Sequence, residues 1–90
     1  MKFFNYDNTI NVDYLDLKHF VNLESINLSD NKEITGVRCP NIEDHYVSLS
    51  GGSLIGCANL NYLYGNFKIY GTRVFTNCFN LSLNSSRIYS

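Results

Sequence analysis

Four short boxes recur along this chain and limit what it can fold into. They are "FVNL" at 20–23, "CPNI" at 39–42, "CANL" at 57–60 and "CFNL" at 78–81, at intervals of 19, 18 and 21 residues. Each carries Asn at its third position (Asn22, Asn41, Asn59, Asn80) and Leu or Ile at its fourth. A second ladder lies three residues upstream: Leu17, Gly36, Leu54 and Phe75. A unit of this length cannot enclose a core by itself and must bury its apolar face against its neighbours. The expected architecture is therefore a repeat solenoid, in which each coil touches only the next.

The first box runs on as "NLESINLSDN", where Leu23, Ile26, Leu28 and Asn31 fit L-x-x-L-x-L-x-x-N. This resembles the leucine-rich repeat family. The Phe75, Cys78 and Leu81 spacing in "VFTNCFNL" resembles the Cys-type repeats of BspA-like surface proteins within it. The resemblance implies a short parallel β-sheet on a concave side and mostly irregular convex connections. The residue types suit those roles: alternating apolar residues bury one strand face, and a turn Asn can donate and accept.

On this reading residues 1–90 form one domain. Residues 1–16 are an N-terminal cap, and the repeats span about 17–35, 36–53, 54–74 and 75–90. Residues 2–6 are expected as a capping strand, with 9–12 as its hairpin partner around "DN". Asn11 is positioned to cap a short helix over 12–19. Repeat strands are expected near 24–28, 43–48, 61–66 and 82–88. The glycine-bearing stretches "SDNKEITG", "SGGSLIG" and "NFKIYGTRVF" are expected to cross the opposite side as connections. A β-helix-like coil is the alternative fold, suggested by "CANLNYLYG".

Composition narrows the partner class. Seven Lys and Arg balance eight Asp and Glu for a net charge of −1, without a basic cluster. Nucleic-acid binding, which needs a cationic stripe facing phosphates, is disfavoured. No segment approaches the roughly 18 consecutive apolar residues of a membrane-spanning helix, so no membrane insertion is expected. The stretch "MKFFNYDNTI" lacks the apolar run of a secretory signal. A cytoplasmic location, in the source or a host cell, is therefore expected for a full-length chain.

No metal or cofactor is expected, because the cysteines show no C-x-x-C spacing and the two histidines no H-x-x-x-H. Cys39, Cys57 and Cys78 occupy one rung of the repeat alignment together with Phe20. Since Phe cannot coordinate or attack, they are expected as small core hydrophobes. Cys39 with His45 is the one arrangement that could suggest a cysteine-dependent enzyme. No catalytic residue is assigned.

The candidate binding surface lies on the strands. In a leucine-rich-repeat register the residues alternating with the buried ones project from the concave sheet. They include Tyr46 and Ser48, then Tyr62, Tyr64 and Asn66, and finally Arg87. Tyr46, Tyr62 and Tyr64 would form an aromatic cluster, and tyrosine anchors interfaces because it offers large contact area with little rotamer loss. The expected function is a non-enzymatic module that binds another protein through this Tyr/Asn/Ser-rich surface, acting as a small inhibitor or effector. A fragment of a longer BspA-like adhesin is the alternative. Open solenoid ends also suggest a homo-oligomer.

Overall fold

The computed structural model describes residues 2–5, 12–71, 73–75, 78, 81–82 and 87–89. Every regular element among them is a β-strand, because the chain alternates apolar and polar residues only over short runs between turns. The strands are β1 (Phe3–Asn5), β2 (Tyr14–Asp16), β3 (Ser25–Asn27), β4 (Gly36–Arg38), β5 (Val47–Ser50), β6 (Tyr62–Tyr64), β7 (Asn66–Tyr70) and β8 (Arg87–Tyr89). They form two parallel sheets, β1-β3-β5-β7-β8 and β2-β4-β6. The chain passes from one sheet to the other and back, winding a β-solenoid of about three turns.

The solenoid and its parallel strands agree with the repeat reading; the placement of the strands does not follow it throughout. Stretches expected as irregular connections on one side are partly strand and fall on both sides: "TGVRC" contributes β4 to the three-stranded sheet and "NFKIY" contributes β7 to the five-stranded one. Residues 12–19 are not helical, and their centre is β2. The stretch "VDYLDL" explains this, since Leu15 faces the core while Tyr14 and Asp16 are exposed, which is the two-residue period of a strand. Phe3–Asn5 is the expected capping strand, and most of its 9–12 partner lies outside the described residues.

Inside the coil, the central residues of the three-stranded sheet stack as Leu15, Val37 and Leu63. From the other side, Val47 aligns with Phe67 and Leu49 with Ile69. Between these rows lie Leu23, Leu28, Ile34, Leu54 and Leu60, all fully buried and part of one cluster. Burying each such side chain is worth roughly 1.5–3 kcal/mol, so the core draws on every coil.

The repeated box proves to be a corner device. In three of its four occurrences two successive backbone turns form three residues apart. Phe20 N donates to Leu17 O (3.1 Å) and Leu23 N to Phe20 O (2.9 Å). Cys57 and Leu60 repeat this against Leu54 and Cys57, and Cys78 and Leu81 against Phe75 and Cys78. The first of these units leads from β2 to β3, whereas the second leads from β5 to β6 on the other side of the coil. The four boxes are therefore not one rung. Phe20 is 44% exposed, and Cys57 stacks against the previous coil's Leu28–Asn31 turn, its thiol donating to Leu28 O at 2.9 Å.

The "CPNI" box departs from the pattern. Cys39 N continues the sheet ladder by donating to Tyr64 O (2.7 Å), and Ile42 is exposed. Cys39 packs beside the sharpest turn of the fold, where Gly65 alone joins β6 to β7. A Cβ on Gly65 would lie 2.8 Å from Phe67 Cζ and 3.0 Å from Cys39 Cβ, and the residue has φ of +156°. Only glycine fits there.

Candidate functional site

The outer surface of the three-stranded sheet carries Tyr14, Tyr62 and Tyr64, while Phe3, Tyr70 and Tyr89 are exposed on the five-stranded sheet. Tyr14 on β2, Gly36 on β4 and Tyr62 on β6 share one row, and Asp16, Arg38 and Tyr64 the next. Strands one place apart are separated by roughly 4.8 Å, so Tyr14 and Tyr62, two places apart, would not ordinarily touch. They meet because Gly36 lies between them. The ring centroids are 6.2 Å apart with planes inclined by 24°. A Cβ on Gly36 would come within 2.8 Å of Tyr14 Cδ2, so the missing side chain is the space the Tyr14 ring occupies.

Tyr62 in turn stacks with Tyr64 at 6.3 Å, with planes only 5° apart. The Arg38 guanidinium lies 5.1 Å from the Tyr64 ring centroid, a cation–π contact. Asn41 Nδ2 donates to the Tyr64 hydroxyl at 2.9 Å. Three near-parallel rings, one cation and one positioned hydroxyl thus form a continuous face. Partial desolvation, then the neighbouring Tyr62, raises the Tyr14 phenol above its ordinary pKa. Next to Arg38, Asp16 is held below its usual value chiefly by the Lys18 backbone N–H. It also pairs with Lys18 Nζ at 3.3 Å. A hollow of about 510 Å³ lined by Val12, Asp13, Tyr14 and Glu33 flanks the row.

The residues expected as one binding surface are divided by the fold. Tyr62 and Tyr64 are on this face, whereas Tyr46 precedes β5 of the other sheet and meets Tyr89 edge-on at 4.9 Å. Ser48 also belongs to the five-stranded sheet, paired with Ser25 and Lys68. There it lines a shallow basin of about 420 Å³ with Phe3, Asn5, Ser25 and Asn27. Arg87 lies on β8, its backbone beside Asn66.

Asn66 is not a surface residue, being 1% exposed. It follows the Gly65 corner and turns inward, where its Nδ2 donates to Ile42 O and His45 O, both at 3.0 Å. Those carbonyls belong to a connection with no strand partner, and a buried amide satisfies them. Tyr14 and Arg38 were not singled out from the sequence, and Gly36 only as a member of the upstream ladder. The alternation in "VDYLDL" and the "GVR" triplet were the available signals for them.

The Cys39–His45 arrangement offers no activated thiol. Burial pushes the Cys39 thiol up to about 12, so it is protonated at neutral pH, and His45 Nε2 is 2.8 Å from Leu23 O. A ring nitrogen facing a carbonyl must carry the proton, which leaves that nitrogen no capacity to act as a base. Burial likewise pushes Cys57 up to about 11. Among the described residues no group of three or more His, Cys, Asp or Glu is placed to hold a metal ion. No family model matches the chain, and no curated protein or solved structure matches it.

Proposed function

We propose that this chain is a non-enzymatic protein-interaction module that meets its partner through the outer face of the three-stranded sheet. The observation that carries the proposal is the stack of Tyr14, Tyr62 and Tyr64, whose rings stand near-parallel beside Arg38. Tyrosine and arginine are the side chains most often found as interface anchors. Rings held by stacking have already lost rotamer freedom, so less remains to be lost on association. A partly exposed ring also keeps a hydroxyl for the partner.

A small inhibitor or effector is the form of this function we favour. Kinship with the leucine-rich repeats is part of the proposal. It is supported by the burial of Leu23, Ile26, Leu28 and Asn31 and by the bonds from Asn31 Nδ2 to Leu28 O and Ser29 O. A segment of a longer BspA-like adhesin would use the same face.

The competing interpretation is that the tyrosines only support their sheet, at roughly 0.2–1 kcal/mol per cross-strand pair. Affinity capture with matched baits separates the two. A protein retained by the natural chain and by Ser25→Ala, but lost with Tyr62→Ala at a nearly unchanged melting temperature, is the expected result. Parallel loss of capture and thermal stability would assign the rings to the sheet alone.

A further inference from the structure

The tyrosine face carries one cation that makes no direct ion pair among the described residues. Arg38 projects from the middle strand between Asp16 and Tyr64. Its Nε is buried without a hydrogen-bond partner. Asp16, the nearest carboxylate by register, is engaged by Lys18, through Nζ at 3.3 Å and through the backbone N–H at 3.2 Å. Among the described residues Arg38 makes no ion pair, and its head group is held over the Tyr64 ring. A guanidinium has five donors and no acceptor, so what completes it must accept.

A second donor lies beside it. The Tyr64 hydroxyl already accepts from Asn41 Nδ2, which leaves its own proton for another acceptor. Two donors from adjacent strands therefore face one side of the sheet, with aromatic surface continuing along it to Tyr62 and Tyr14. The spacing also says something of the ligand's form. Tyr62 and Tyr64 rings are 6.3 Å apart, and alternate side chains of an extended chain repeat every ~6.6 Å.

Resting on the protein-binding reading above, we propose that the partner supplies an extended acidic segment. One Asp or Glu carboxylate sits on Arg38 and the Tyr64 hydroxyl, and an apolar residue or proline two positions away lies against Tyr62. A carboxylate matches the planar fork of arginine in bidentate fashion. A phosphate dianion suits the site less well, since Arg38 is the only uncommitted cation described there and the Asp16 charge stands next to it.

Selection of random displayed nonapeptides on the immobilised chain tests this, with the recovered sequences then synthesised and titrated. The expected result is enrichment of Asp or Glu two positions from an apolar residue or proline. Replacing that acid with its amide should weaken binding at least tenfold, and Arg38→Gln should remove the difference between the two peptides. Arg38→Glu should redirect selection to Lys- or Arg-bearing sequences. Arg38→Lys, which keeps the charge without the fork, should recover only part of the affinity.

Peptides that depend on Tyr62 but show no acidic preference and tolerate Arg38→Gln overturn the carboxylate proposal while sparing the interaction face. Peptides indifferent to Tyr62→Ala, or no enriched sequence at all, overturn both. Preference for a phosphoserine peptide over its glutamate counterpart overturns the choice of carboxylate. Circular dichroism melting of each variant guards against loss of fold: a variant that melts with the natural chain is read as above, and one that does not is replaced by Arg38→Met.

Discussion

The two outer faces of this solenoid are built by the same winding yet differ in chemistry. The five-stranded side presents Asn5, Ser25, Asn27 and Ser48 around a shallow basin bordered by Phe3, with Lys68 over the Tyr70 ring and Tyr89 beyond. The three-stranded side presents Tyr14, Tyr62 and Tyr64 stacked across Gly36, with Arg38 beside them. Both faces follow from strand alternation. What separates them is arrangement: the aromatics of the five-stranded side are spread around small polar groups, whereas Tyr62 stacks with both Tyr14 and Tyr64. Parallel strands supply the scaffold for either surface, and the residues between the inward positions decide what it can hold.

The comparison is broken most severely at the corner that joins the faces. Gly65→Ala is expected to destabilise the fold by about 1–3 kcal/mol through overpacking against Phe67 and Cys39, read as a lower urea midpoint. An unchanged midpoint would mean the turn has room the structure does not show. Asn66→Ala should cost about 1–3 kcal/mol by removing the side-chain donor to the Ile42 and His45 carbonyls, of which Ile42 O keeps the His45 N–H. A surface role for Asn66 would instead leave stability where it was.

At the level of binding, Tyr62→Ala should reduce partner affinity by about tenfold or more. Ser48→Ala on the other face should alter neither affinity nor, beyond about 0.5 kcal/mol, stability. Equal effects from the two substitutions would erase the distinction between the faces. The buried thiols add a pH dependence. Cys39 and Cys57, held at about 12 and about 11 against an ordinary 9.0, stay protonated in the folded chain after the unfolded chain has lost those protons. Their contribution is complete below about pH 9 and falls as pH rises through 11 to 12, so the urea midpoint should drop over that window. Alkylation at pH 8 should reach half-buried Cys78 before either of them.

The smallest effect is the most specific. Gly36→Ala should change stability by no more than about 0.5 kcal/mol, because the nearby Tyr14 ring can swing aside. It should nonetheless separate Tyr14 from Tyr62 and weaken binding, detectable as a change in tyrosine near-ultraviolet circular dichroism. Intact ring stacking in that variant would show that the glycine gap is incidental.

Periodicity made the solenoid legible. Leu17, Leu54 and Phe75 begin corner turns of one hydrogen-bond pattern, and their spacing is written in the chain. Aligning Phe20 and Cys39 with Cys57 and Cys78 was misleading because the corner unit works on either side of the coil. Sequence similarity identified the device but not the wall it serves. Residues 12–19 were missed as a strand for a related reason: three alternating positions also satisfy a short helix with a polar cap. Asn66 looked external because it follows Tyr62 and Tyr64 in step, but the Gly65 corner inserts one residue and reverses its direction.

What the chain determined by itself is local: a repeat too short to stand alone, apolar positions that must turn inward, and tyrosines left on the outside of a strand. Tertiary structure decided which of those tyrosines meet. Tyr46 ends the eight-residue connection (39–46) from β4 to β5, whereas Tyr62 opens β6 after an eleven-residue connection (51–61) that runs to the opposite sheet. Tyr14 is distant in sequence from Tyr62 but reaches it over a missing side chain. Such contacts depend on loop lengths summed over whole coils and on the absence of an atom at Gly36, and neither is visible in any single repeat.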